Sequence, residues 1–583
     1  MTRISHSRIL TETPPDSTGL PRRVARPSAL TDSPAFPKMN MGSPTGIVLA
    51  TEFLTCLPAE ISAMKNNLFQ TFQSARLPGL ILLLISSALV AEDPLHLTAR
   101  VRTETAPASG MWHSTFRPLD WAPKETCIVV CDMWDNHWCQ PSAARVAEMA
   151  PEMNKILNTA RNRGVFIIHC PSDTMDFYRD TPQRKLAQAA PVVATERPLE
   201  RWIRLLPERE GDSLPIDDSD GGCDCDPPVK NYRAWSRQHP AIEIHEDDAM
   251  TDNAEAFYLM KQRGIRNVIV MGVHTNMCVL GRPFSIRQMV LQGQNVVLMR
   301  DMTDSMYNPA KPPFVSHVWG NDLIVRHIEQ TWCPTILSTD FTGKPAFRFS
   351  EDKRKHVVIV TSEPEYQTER SLTDFDQDLR QDFRVSIVYG DSQDGSLLPG
   401  LEVLKSADLL LLSTRRRTLK PEQLTIVREF IASGKPVVGI RTASHPFHLR
   451  NQNAPEGRAD WSDFDAEVNG GHYTNHHGAG PQSLISVASD QVAHHPILAG
   501  VDVLALKGVG SLYLVSPLAN STQPLLIGQI PGKSPEPVAW LNLRRDGGTT
   551  FYTSLGHTGD FKQPAFRQLL QNACRFLTRD LAP

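Results

Sequence analysis

The chain has 583 residues, a net charge of −4, 41% hydrophobic and 21% charged residues. That length exceeds what one hydrophobic core organises, and so small a net charge gives no electrostatic basis for a nucleic-acid partner. Its ten cysteines are too sparse for a disulfide framework.

Residues 1–63 are rich in Pro, Ser and Thr with no sustained hydrophobic period, and read as disordered sequence that is not translated. Met64-Lys65, a further Arg76, the apolar run Leu77 to Ile85 and the small residues Ser86 to Ala91 follow. This pattern predicts a signal peptide over 64–91, cleaved after Ala88 or Ala91, with translation starting at Met64. The protein is therefore expected to be secreted or periplasmic, with no membrane association once the signal is removed. Residues 92–119 read as an extended N-terminal segment.

From 120 to 340 strand and helix patterns alternate. Cys127-Ile128-Val129-Val130-Cys131 is a continuous apolar run of the kind buried on both faces of a parallel sheet. Val146, Met149, Ala150, Met153, Ile156, Leu157 and Ala160 recur at helical spacing, and Gly164 marks the stop. Val165–Ile168, Val268–Met271 and Val296–Met299 read as further strands. The expected fold is a doubly wound, three-layer α/β domain with its ligand site beyond the carboxyl ends of the strands. Between about 173 and 240 the pattern breaks into a long acidic insertion that includes Cys223 and Cys225.

Two residues stand at strand ends with chemistry to offer. Cys278 follows the run Asn267 to Gly272 and a His-Thr-Asn turn, where a helix should begin. A helix N-terminus favours thiolate over thiol, and its free N–H groups suit an oxyanion. Asp132 follows the first strand, so its carboxylate projects from the same sheet edge and can take the thiol proton and return it to a leaving amine.

Taken with Asp132, the block Gly272-Val273-His274-Thr275-Asn276-Met277-Cys278-Val279 resembles that of the isochorismatase-like cysteine hydrolases, the superfamily that includes nicotinamidases. The resemblance implies a parallel sheet flanked by helices, an Asp-Lys-Cys triad and a non-proline cis peptide before His274. By position, Asp132 is the base and Cys278 the nucleophile, and the main-chain amides of His274 and Cys278 form the oxyanion hole. The family lysine is missing. His245 takes its place by position, and Lys230 is a second candidate if the insertion folds back over the site. The Asp-x-His pattern of metal-binding nicotinamidases is also missing after the second strand, where His169-Cys170-Pro171-Ser172-Asp173 stands. Neither metal nor cofactor is expected. Trp134, Asp135 and His137 read as pocket lining, and the Cys223/Cys225 pair fits a labile disulfide or a metal clip.

Residues 341–355 read as a linker and 356–580 as a second α/β domain with strands at Val357–Val360, Leu409–Leu412, Val437–Ile440 and Thr550–Leu555. Gly439-Ile440-Arg441-Thr442-Ala443-Ser444-His445, Asn469-Gly470-Gly471-His472 and Tyr552 to His557 together resemble the trehalose-utilisation (ThuA)-like domains, relatives of the class I glutamine amidotransferase and flavodoxin-like folds. Arg441 stands where amidotransferases carry their cysteine, so thiol amidotransfer is not expected. His445, His472 and His557, with His476 and His477, are candidates for a pocket holding a sugar-like ligand.

The sequence thus points to a secreted hydrolase that cleaves a carbon–nitrogen bond of a small-molecule amide through a thioester, with a carbohydrate as a further candidate ligand. Two alternatives stay open: a catalytically retired, carbohydrate-associated binding protein, and an isochorismatase-type vinyl ether hydrolase that needs no thiol. The sequence is also compatible with a homo-oligomer.

Overall fold

The computed structural model describes residues 93–478 and 480–579. The segment 1–63 and the expected signal peptide at 64–91 lie outside them. Among the described residues no helix is long and apolar enough to cross a membrane.

The first sheet contains β1 (Leu95–Glu104), β2 (Trp112–Trp121), β3 (Thr126–Cys131), β4 (Phe166–Cys170), β5 (Ala249–Met250), β6 (Asn267–Val273), β7 (Asn295–Asp304) and β8 (Thr335–Ile336), in the order β2-β1-β8-β7-β6-β3-β4-β5. Strands β3 to β8 run parallel, as expected. The apolar run of β3 serves both faces: Cys127, Val129 and Cys131 join one buried cluster, and Ile128 and Val130 the other. Helix α1 (Gln140–Asn162) buries the seven apolar positions expected from its period.

The segment 92–119 is more than extended chain. It forms the β1–β2 hairpin, which pairs antiparallel with β8 through Arg100 and Thr335 and makes the sheet mixed at that edge. Its anchor is Glu329 on α3, the helix His317–Thr331 once the one-turn helix α2 (Cys278–Gly281) is counted. Glu329 is buried and accepts Arg100 Nε at 2.6 Å and Arg102 Nε at 2.7 Å. Burial alone would raise its pKa, but the two arginines outweigh burial and hold it down to about 2. The sign follows: a carboxyl depressed below its unfolded value of about 4.3 stabilises fully above that pH, and the contribution is lost as pH falls toward 2. Glu329→Gln leaves two arginines without their counter-ion and should cost about 3–5 kcal/mol. Urea unfolding at neutral pH measures this, and an unchanged midpoint would show that the hairpin is held by packing alone.

The expected linker also carries more contact than the term suggests. Phe347 and Phe349 pack against the first core, and the Phe347 amide donates to Asp301 at 3.1 Å.

The second sheet begins with β9 (Lys355–Ser362), β10 (Phe383–Tyr389), β11 (Leu409–Thr414) and β12 (Val437–Ile440). A short pair, β13 (Asn475–His476) and β16 (Tyr513–Leu514), stands apart. The sheet is completed by β14 (Ser483–Val487), β15 (Lys507–Gly508), β17 (Thr522–Gln529), β18 (Glu536–Leu543) and β19 (Thr549–Thr553), in the order β10-β9-β11-β12-β19-β18-β17-β14-β15. The first five are parallel, and the rest turn antiparallel from β18 onward. Both domains are therefore α/β, each built on one large mixed sheet.

Candidate functional site

The turn after β6 is fixed by its own sequence. Gly272 has φ +110°, and a Cβ there would stand 2.0 Å from the Cys131 carbonyl oxygen, so only glycine lets β6 pass β3 this closely. The Val273–His274 peptide is cis. Thr275 donates its amide to the Asp304 carbonyl at 2.8 Å, and its hydroxyl is 2.7 Å from that of Thr303. Asn276 spans the turn to Met306, accepting its amide at 2.9 Å and donating to its carbonyl at 3.1 Å. The His274 ring is 2.6 Å from the Ser142 hydroxyl, and burial pushes its pKa well below the usual range, leaving a neutral imidazole. The amides of Thr275, Met277, Val279 and Leu280 are taken by carbonyls. Those of His274 and Cys278 donate to no protein acceptor among the described residues and are free for an incoming oxyanion.

Asp132 follows β3 with φ +46°, a left-handed backbone tolerated by aspartate and often found where chemistry is done. Its carboxylate is fully buried. One oxygen accepts the Ser172 amide at 2.7 Å, and the other has no regular hydrogen-bond partner. That free oxygen lies 3.8 Å from Arg282 Nε, and the carboxylate interacts with the Cys278 thiol. Arg282 immediately follows α2, so one helical turn brings its guanidinium back over the cysteine that opens the turn. It also reaches Asp173 at 3.7 Å.

The electrostatics correct one expectation. Cys278 is only 8% exposed, and α2 is a single turn. Burial, followed by the Asp132 charge, pushes the thiol well above its ordinary pKa, and Arg282 opposes this only in part. The resting group is a thiol, not the thiolate that a long helix dipole would favour. Burial raises Asp132 as well, against the pull of Arg282. Burial would also strip the proton from Arg282, but Asp132 and Cys278 together overcome it and raise its pKa. The trio is a fixed cation beside two groups that share one proton, and moving that proton from sulfur to Asp132 leaves the net charge unchanged.

The cation beside Asp132 and Cys278 is Arg282. His245 is half exposed and lies 3.4 Å from Glu243, while Lys230 is exposed on the insertion. The family pattern directs attention to the segment before β6, whereas this chain places its cation four residues after the nucleophile. Only that spacing signals it in the sequence. Lys230→Ala and His245→Ala should each change kcat/KM by less than about threefold, the scale of an ordinary surface substitution. A large loss in either variant would remove Arg282 from its assigned role.

Trp134, His137 and Trp235 stack at 4.3–6.0 Å, and the edge of His274 meets His137 at 5.1 Å. Burial lowers the His137 pKa to about 4, so this wall is neutral. Asp135 is not part of that wall: it accepts the Ser236 hydroxyl at 2.6 Å and the amides of Ser236 and Arg237, and so anchors the returning end of the insertion. The insertion packs over α2, with the Ile203 amide donating to Gly281 at 2.8 Å. A cleft of about 770 Å³ opens beside the turn, between Asn276 and Met277 on one side and Trp202, Arg204 and Ile216 of the insertion on the other.

In the second domain Arg441 follows β12 with φ +45°, its guanidinium lying between Tyr366 and Tyr513 at 4.2 and 4.7 Å and donating to the Ser554 carbonyl at 2.8 Å. His445 and His472 share a cleft of about 590 Å³ with Arg416, Arg450 and Tyr473. Burial lowers the His445 pKa to about 2, and the ring stacks on Tyr473 at 4.7 Å. His557 does not join that cleft. Its ring faces Tyr366 at 5.6 Å, and its amide donates to Asp560. Buried Asp465, raised to about 6 by desolvation, lines the same cleft and carried no motif that would have marked it.

Residues 347–577 match the family model ThuA, described as trehalose utilisation. This part of the chain is a ThuA domain. It is similar to a thua-like protein from Bacteroides uniformis ATCC 8492, at 18% identity over 40% of this chain and 95% of that one, with a TM-score of 0.30. The N-terminal part is similar to a cysteine hydrolase from Pseudomonas syringae pv. phaseolicola 1448A, at 18% identity over 37% of this chain and 91% of that one, with a TM-score of 0.24. An isochorismatase family protein from Burkholderia thailandensis aligns at 16% identity over 31% of this chain and 79% of that one, with a TM-score of 0.18. None of the curated proteins compared matches the chain.

Proposed function

We propose that the N-terminal domain is a cysteine hydrolase that cleaves the carbon–nitrogen bond of a small amide. The reading rests on one observation, the grouping of Asp132, Cys278 and Arg282 beside the two free amides of His274 and Cys278. The Cys278 sulfur attacks the amide carbonyl as its proton passes to the free oxygen of Asp132. Arg282 holds its charge throughout, and the two amides take the developing oxyanion. When the C–N bond breaks, Asp132 returns the proton to the leaving amine and a thioester remains on Cys278. Asp132 then takes a proton from water, the hydroxide attacks the thioester, and the carboxylic acid leaves with the thiol restored.

In this reading the protein acts outside the cytoplasm, after removal of a signal peptide at 64–91, and its ThuA domain holds a sugar-like ligand in the cleft of His445 and His472. The direct test is intact-mass analysis during turnover of a small-amide library, quenched in acid. A single acyl adduct mapped to Cys278 is the expected result. Turnover without any adduct, in single-turnover conditions where deacylation is slowed at low pH, would reject covalent catalysis.

A further inference from the structure

The hydrolase reading leaves seven cysteines of the first domain unused, and three of them meet in space. Cys139 caps α1 at its N-terminus, and Cys223 and Cys225 come from the insertion, some eighty residues on. Their three sulfur atoms lie within 4.8 Å of one another. Two independent segments are built to meet here. Gly222 has φ +69° and a Cβ on it would stand 2.3 Å from the Met306 carbonyl oxygen, so the insertion can press this close only with glycine before Cys223. Asp224, between the two insertion cysteines, accepts Arg145 Nη1 from α1 at 2.9 Å, and its other oxygen is 3.3 Å from Cys139 Sγ. Trp138, Trp235 and Met277 close the cluster from the side of the aromatic wall.

We propose that Cys139, Cys223 and Cys225 bind one thiophilic divalent cation, Zn2+, as a three-thiolate site that staples the insertion to the start of α1. Tetrahedral zinc–thiolate bonds of about 2.3 Å place sulfurs about 3.8 Å apart, so the cluster needs to contract by no more than about 1 Å. Each thiol gives up its proton, three in all, as the metal enters. Arg145, held by Asp224 beside Cys139, brings a fixed positive charge against the negative charge that three thiolates leave on a dication. One cysteine pair in an acidic loop is weak evidence for a metal. Cys139, far away in sequence, completes the set, and it is the residue that periodicity and spacing give no reason to join to the pair.

None of the three ligands is Asp132, Cys278 or Arg282, and the readout is metal content, so the test does not depend on catalysis. The full chain is purified under reducing conditions from zinc-supplemented medium, dialysed, and its metal content measured beside that of Cys225→Ser, Cys139→Ser and the control Cys333→Ser, whose thiol is buried elsewhere. The expected result is about one Zn2+ per chain in the parent and in Cys333→Ser, with at least a tenfold loss in the two site variants. Cobalt titration of the metal-free parent should give a thiolate-to-metal charge-transfer band that Cys225→Ser weakens, which separates ligand loss from misfolding. Parent protein without zinc, site variants that retain it, or a disulfide between two of the three thiols in the parent would each overturn the proposal.

Discussion

Cys278→Ala is expected to lower amide turnover by a factor on the order of 10⁴ or more while the protein keeps its fold, because a nucleophile removed from a unit of acting residues takes nearly all the chemical step with it. The fold should tolerate the change. The side chain loses one buried sulfur from a cluster that includes Val279, Leu280 and Phe284, and no hydrogen bond of the turn runs through the thiol. Asp132→Asn should be inactive by a similar factor, since an amide cannot accept the thiol proton and Arg282 loses the buried one of its two carboxylate partners. The pair of variants separates reaction classes. A vinyl ether hydrolase would use Asp132 alone, so Cys278→Ala would stay active and Asp132→Asn would not. Activity retained in both would mean that the chemistry lies elsewhere, and a carbohydrate-binding role would then rest on the ThuA cleft. Kinetics on small amides, with circular dichroism and urea unfolding as controls for folding, decide among these outcomes.

How much of this was legible in the sequence depends on whether the cause was local. The strands β3 and β6 follow from short β-branched runs, α1 from seven apolar residues at helical spacing, and the turn after β6 is marked by Gly272, Thr275 and Asn276, although the groups that hold it, Cys131, Asp304 and Met306, come from β3 and the end of β7. The hairpin β1–β2 was not legible, because what fixes it is Glu329 more than two hundred residues later. Asp135 reads as a pocket residue by its place after β3, yet its partners Ser236 and Arg237 come from the far end of an insertion with no readable period. His557 misled for a related reason. Histidines gather in the second domain's sequence, but Arg441 and its two tyrosines stand between His557 and the cleft of His445. The free energy that places such residues comes from long-range packing, which periodicity does not encode.

Arg282 carries the second large effect. Its Nε lies 3.8 Å from the Asp132 oxygen that has no other partner. At an effective dielectric constant of about 20, a pair at that distance interacts by about 4 kcal/mol, which sets an upper scale of roughly 10³-fold on the loss of ionised Asp132 at fixed pH. Burial already raises the carboxyl, and Arg282 is the main influence opposing it. Arg282→Met, which keeps length and removes charge, should therefore raise the Asp132 pKa further. A protonated Asp132 cannot take the thiol proton, so kcat/KM falls at neutral pH and the acid limb of its profile moves to higher pH. Arg282→Lys restores a charge without the planar fork and should recover part of the loss. The stability of Arg282→Met must move the opposite way with pH. A carboxyl raised in the folded state binds its proton more tightly there than in the unfolded chain, so stability increases as pH falls through the folded value toward about 3.9. Thermal unfolding of Arg282→Met compared with the parent, followed from about pH 8 to about pH 5, should show the variant gaining on acidification. If Arg282→Met instead raises KM alone and leaves the pH profile in place, the guanidinium holds the substrate and Asp132 keeps its charge by other means. The family lysine would then have no electrostatic successor in this chain.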